Sequence, residues 1–189
     1  MPQIDPKGLK NKLKKGEIDN IYYLFGENVP EVDKLTKMII KAAVGDNEDI
    51  ALTSLEGRYL DFSELSDMIM MMPMLSDYNC ILINDYNCER PREPMAGYKA
   101  EDLNRKLLDA IKEIPPQTVV IFNVTGFEVA VKRDYKANKN VIKDKNKKLA
   151  DFAAKHGTVV ECTVKTAQDM AKDIAAAVEF YNGLKLKYD

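Results

Sequence analysis

Ile21-Tyr-Tyr-Leu-Phe-Gly-Glu-Asn-Val-Pro-Glu-Val-Asp33 is the stretch that decides the fold. Its first five residues are all apolar or aromatic, the pattern of a strand buried on both faces, and Gly26 ends the run. Asn28 then offers a helix cap, and Val32, Leu35, Ile39 and Ile40 fall on one face of a helix that Gly45 stops. A buried strand followed at once by an amphipathic helix is the first half of a βαβ unit, which requires parallel partner strands further along the chain.

Those partners can be read in both directions from this point. Upstream, residues 8–16 form a lysine-rich helix with Leu9 and Leu13 as its apolar stripe. Downstream, strands are expected at 49–55, 80–83, 118–124 and 158–162. Between them lie a helix capped at Asp61 (Leu65, Met68, Ile69 and Met72 inward), a second over 100–113, and a third ending at His156. A last helix, capped by Thr166, carries Met170, Ile174 and Val178, while 86–99, aperiodic and with two prolines, reads as a loop. Strands alternating with helices at this spacing give an α/β class: a three-layer, mainly parallel five-stranded sheet with helices on both faces.

Composition narrows the functional classes. The 189 residues carry 28 basic and 30 acidic side chains, a net charge of −2, so any affinity for nucleic acid or an anionic surface must be local. Three cysteines without C-x-x-C spacing read as reduced packing thiols, and no structural metal is expected. The N-terminus lacks a signal-peptide core and no run is long enough to span a bilayer, so a cytoplasmic protein with no membrane partner is expected.

The obvious chemistries are missing from the sequence. A phosphate loop needs spaced glycines, then Lys and Ser or Thr; here Glu27, Glu31 and Asp33 occupy the turn, and no two glycines stand at G-x-G or G-x-x-x-x-G spacing. Asp85, closing the apolar strand, has the position of a magnesium-holding carboxylate, yet a carboxylate ending a buried strand is common. The single histidine, His156, precedes Gly157 and suits a helix C-terminus. No catalytic residues, metal ligands or cofactors are therefore assigned, and function is sought in binding.

Two surfaces remain. From 131 to 148 eight basic residues face two acidic ones, and Lys132, Arg133, Lys136 and Lys139 are its candidate DNA-phosphate contacts, although a solvated face is the plainer reading. The other is Met68-Ile-Met-Met-Met-Pro-Met-Leu-Ser-Asp77, where Pro73 stops a helix and leaves Met74 and Leu75 in a turn. Ordinary turns are polar, so this one is either tucked under a helix or built to touch something.

Taken in order, the segments 21–27, 72–77 with 80–84, 114–121, and 157–162 before the helix from Thr166 resemble the delta subunit family of bacterial DNA polymerase III over 14–189. That resemblance implies an AAA+-like clamp-loader domain without an ATPase site, a non-catalytic part of a DNA-directed DNA polymerase (nucleotidyltransferase) holoenzyme acting in replication. It implies a hydrophobic wedge that enters the sliding clamp (beta subunit) and favours ring opening. The family pattern of Pro, two bulky apolar residues, then Ser-Asp falls on Pro73-Met74-Leu75-Ser76-Asp77, making Met74 and Leu75 the clamp contacts with Pro73 and Met71 beside them. The family usually places at least one phenylalanine in the wedge and both residues here are aliphatic; Met adapts to irregular pockets, so binding is expected to survive at reduced strength. It further implies an AAA+-like domain over 1–164, a truncated lid domain starting at 165–189, partnership with other clamp-loader subunits, and indirect or weak contact with DNA. The alternative is a non-catalytic scaffold of the same fold that binds nucleic acid through 131–148.

Overall fold

The computed structural model describes residues 3–92, 95–134 and 139–164, with 170, 174, 175 and 178 beyond them. Its centre is a five-stranded parallel sheet in the order β2-β3-β4-β1-β7. The strands are β1 (Ile21–Phe25), β2 (Leu52–Glu56), β3 (Asn79–Asn84), β4 (Thr118–Asn123) and β7 (Thr158–Glu161). β1 is buried along its whole length because it lies between β4 and β7 and is covered on both faces.

Alternation along β1 sorts the two cores. Tyr22 and Leu24 face α1 (Pro6–Lys14) and α2 (Val29–Val44), packing with Leu9, Val32, Leu35 and Ile39. Ile21, Tyr23 and Phe25 face the other way, toward α4 (Phe62–Met70), α5 (Ala100–Ala110) and α6 (Lys147–His156). The expected three-layer α/β architecture is therefore present. Right-handed crossovers account for it: the connection from β1 to β2 runs leftward over one face, and the rightward ones run over the other.

Local chemistry sets the helix ends. Asp5 accepts from Gly8 N at 2.7 Å, Asn28 from Glu31 N at 3.3 Å, and Asp61 from Ser63 N and Glu64 N at 2.8 and 3.1 Å. Asp61 is thus the cap its spacing to Glu64 suggested. Asp61→Ala should destabilise the fold by about 1 kcal/mol, seen as a melting temperature lower by roughly 2–4 °C; an unchanged melting curve would mean the cap contributes nothing.

Most ends fall within two residues of the expectations, but some elements differ more. The strand expected from Asp49 begins at Leu52, because Glu48–Ala51 forms one helical turn, α3, whose Glu48 and Asp49 suit a helix N-terminus. The helix over 100–113 ends at Ala110. The basic stretch contains an unforeseen antiparallel hairpin, β5 (Val131–Asp134) with β6 (Lys139–Ile142), separate from the main sheet. The Thr166 cap lies outside the described residues; Met170, Ile174 and Val178 are helical and exposed.

All three cysteines are free and buried. Burial pushes the Cys80 and Cys162 thiols up to about 12 and Cys88 to about 11, so all three stay protonated near neutral pH. Native protein at pH 8 should resist iodoacetamide for hours and take up three labels once denatured; rapid labelling of the folded chain, read by mass, would contradict this packing.

Candidate functional site

α4 stops at Met70, three residues short of Pro73, and its last carbonyls find partners in the sheet. Asn79 Nδ2 donates to Met68 O and Thr118 Oγ1 to Ile69 O, both at 2.9 Å. Leu65 and Ile69 hold the helix to the core. Met72, expected on that inward face, lies past the helix end and is exposed, since the residue before a proline is pushed out of helical geometry.

The end of α4 and the turn beyond it form an apolar projection. Met70, Met71, Met72, Met74 and Leu75 are each 61–74% exposed, and Pro73 is half-buried between them. Leu75 sits at φ 61°, in the left-handed region that costs a residue with a Cβ about 1–2 kcal/mol. Asn47 Nδ2 holds this conformation by donating to Leu75 O at 2.6 Å, and Ser76 Oγ closes the turn onto Tyr78 O at 2.7 Å. The residues expected from sequence to form a wedge therefore lie close together, at the end of α4 and in the turn leading to β3.

The opposite edge of the sheet holds the crevice where open α/β folds bind ligands. Because the connection leaving β1 crosses one face and that leaving β4 crosses the other, the crevice opens beside β1, as a cavity of about 450 Å³. Phe25, Gly26 and Phe127 line it with Glu27, Glu128 and Glu161, and among the described residues no Lys or Arg does. The turn after β1 is closed onto the chain after β7: Asn28 N donates to Cys162 O at 2.9 Å and Cys162 N to Phe25 O at 2.7 Å. Gly26 serves this close approach, and the Asn28 N–H beyond it is engaged by Cys162. Asp85, at φ 55°, accepts from Thr125 N and Gly126 N, both 2.7 Å from Oδ1, and so clamps the loops after β3 and β4 together.

Compared with known families, residues 22–163 match the DNA polymerase III delta subunit family. The chain belongs to this family. A comparison with curated proteins finds no match. Among solved structures it resembles the DNA clamp loader delta protein of Bacillus subtilis, at 16% identity and a TM-score of 0.61, over 86% of this chain and 44% of that one. A DNA polymerase III gamma subunit-related protein of Thermotoga maritima is similar at 14% identity and a TM-score of 0.52, over 84% and 46%. At these identities the likeness is one of fold, and this delta-family chain spans less than half the length of either structure.

The remaining candidates of the delta-family chain are less concentrated. Lys132 and Arg133 are exposed on β5, Lys139 opens β6, and Lys136 lies outside the described residues. Part of the basic stretch is neutralised locally: Lys145 pairs with Glu101 at 3.1 Å and Lys147 with Asp151. His156 ends α6 and stacks on Phe152 at 4.4 Å between ring centres. Among the described residues no group of three or more His, Cys, Asp or Glu is placed to hold a metal ion. Sequence reading missed one group, three arginines gathered near Asp85, because Arg58 is remote from Arg90 and Arg92 in the chain. The pairing of Glu56 with Asn84 in the β2–β3 register brings them together, and no local sequence signal marks it.

Proposed function

We propose that this chain is the clamp-binding part of a clamp-loader delta subunit, seating Met74 and Leu75 in an apolar pocket of a sliding clamp, with Pro73 and Met71 at the margin. One observation carries the reading: an exposed apolar turn held in a left-handed conformation by a side chain from another loop. Such strain in a solvent-facing leucine has no benefit to the fold and is typical of a binding element. Family membership supports the choice of partner. On this reading 1–164 is the clamp-binding domain, 165–189 begins a lid, and the other clamp-loader subunits and DNA meet the complete protein elsewhere.

Burying the two side chains contributes on the order of 3–6 kcal/mol before association costs. Affinity alone does not open a ring, since a ligand that binds two states equally shifts neither. The wedge must therefore fit the relaxed clamp interface better than the closed one. Among the described residues no helix is long and apolar enough to cross a membrane.

Calorimetric titration against the sliding clamp, repeated at rising salt, tests the proposal. Saturable binding that changes little with salt is expected of an apolar contact. Absence of clamp binding, together with DNA binding that weakens steeply as salt rises, would overturn it in favour of a nucleic-acid scaffold using 131–148.

A further inference from the structure

Arg58 lies in the turn between β2 and α4, while Arg90 and Arg92 lie in the loop after β3. All three line one cavity of about 140 Å³ beyond the C-terminal ends of β3 and β4, together with Asp85, Asn87 and Gly126. Three arginines thus line one small cavity beside one carboxylate, in a chain whose net charge is −2. That carboxylate is already engaged, with Oδ1 accepting two backbone N–H groups. Among the described residues none of the three arginines forms an ion pair. Like charges brought together in this way repel, and an anion placed among them relieves the repulsion.

The arginine-bearing loop is fixed on either side of the pair. Cys88 is buried and its N–H donates to Asn146 Oδ1 at 3.2 Å; Met95 is buried and its N–H donates to Arg92 O at 2.7 Å. Gly126 keeps the cavity open. A Cβ there would stand 2.5 Å from Asp85 Oδ2 and 3.2 Å from Arg58 Nη2. The volume is below the roughly 300–1,000 Å³ of pockets that enclose whole small molecules, which suits one oxyanion group.

We propose that Arg58, Arg90 and Arg92 form a binding site for a phosphate group, distinct from the Met-rich turn at the opposite edge of the sheet. Guanidinium forks match a tetrahedral oxyanion with paired, charge-assisted hydrogen bonds, and three of them select phosphate over chloride. A small phosphate ester and a nucleic-acid backbone both present this group, and the recognised chemistry is the same.

The test titrates the chain with inorganic phosphate, and separately with a 5′-hydroxyl single-stranded oligonucleotide, at fixed ionic strength with chloride as the balancing anion. Arg90→Gln/Arg92→Gln replaces two exposed side chains and should fold normally; it is expected to weaken binding about tenfold per guanidinium. Gly126→Ala keeps all three charges but fills the cavity, and should lose binding as well. Saturable binding of inorganic phosphate that the variants lose upholds the site for a free phosphate group. Binding of the oligonucleotide alone, lost in the same variants, upholds it for a backbone phosphodiester. Binding of neither probe, or equal binding by wild type and variants, overturns it. Met74→Ala/Leu75→Ala should bind both probes as wild type does, so failure here and failure of the clamp proposal are separable.

Discussion

Met74→Ala/Leu75→Ala is expected to weaken clamp binding by about 30- to 1,000-fold, the effect of removing about 2–4 kcal/mol from the centre of an interface, while leaving the fold intact. The two halves of that expectation rest on different facts. Both side chains are more than 70% exposed, so truncating them removes little buried surface from the folded chain. Surface changes of this kind stay within about 0.5 kcal/mol, a melting shift of under roughly 2 °C. Leu75→Gly sharpens the test. It relieves the positive φ at this position, so the melting temperature should hold or rise even as clamp affinity falls. A double variant that unfolds would make the turn a part of the core, and one that binds as well as wild type would move the contact to another surface.

How much of this was legible in the sequence depends on where each signal resided. The central strand was legible because burial on both faces writes an unbroken apolar run, Ile21–Phe25, that no amphipathic element imitates. Caps at Asn28 and Asp61 were legible because they act within three residues of themselves. The β5–β6 hairpin was not: Val131, Lys132 and Arg133 are all exposed, so no alternation marks the strand. At the candidate site, the apolar identity of the turn was plain and its exposure was not. Met68 and Met72 are four residues apart, yet only Met68 packs on the core, because Pro73 sets the backbone of its neighbour. The arginine cavity was invisible for another reason. Its members are joined by strand register, a tertiary fact, and Asp85 resembles a metal ligand in sequence although its oxygen holds two amides.

Gly26→Ala is expected to destabilise the fold by about 3–5 kcal/mol, lowering the melting temperature by roughly 10 °C. Two terms add. Gly26 has φ 134°, a region nearly closed to residues with a Cβ, and a Cβ there would stand 2.7 Å from the carbonyl carbon and 2.8 Å from the nitrogen of Cys162. The neighbouring atoms are backbone, fixed by the Cys162–Phe25 and Asn28–Cys162 hydrogen bonds, so no side chain can move aside. Gly45→Ala separates the terms. It has φ 62° and ψ −125° and nothing within 4 Å of its would-be Cβ, so it should lose only the conformational part, about 1–3 kcal/mol. The comparison also bears on function. A glycine kept for a nucleotide's phosphates would tolerate alanine in the empty protein and show its loss only as weaker binding. A glycine kept for the approach of the chain after β7 shows its loss in the melting curve with no ligand added. A Gly26→Ala protein that melts within 2 °C of wild type would refute the second account and reopen the crevice beside β1 as a phosphate site.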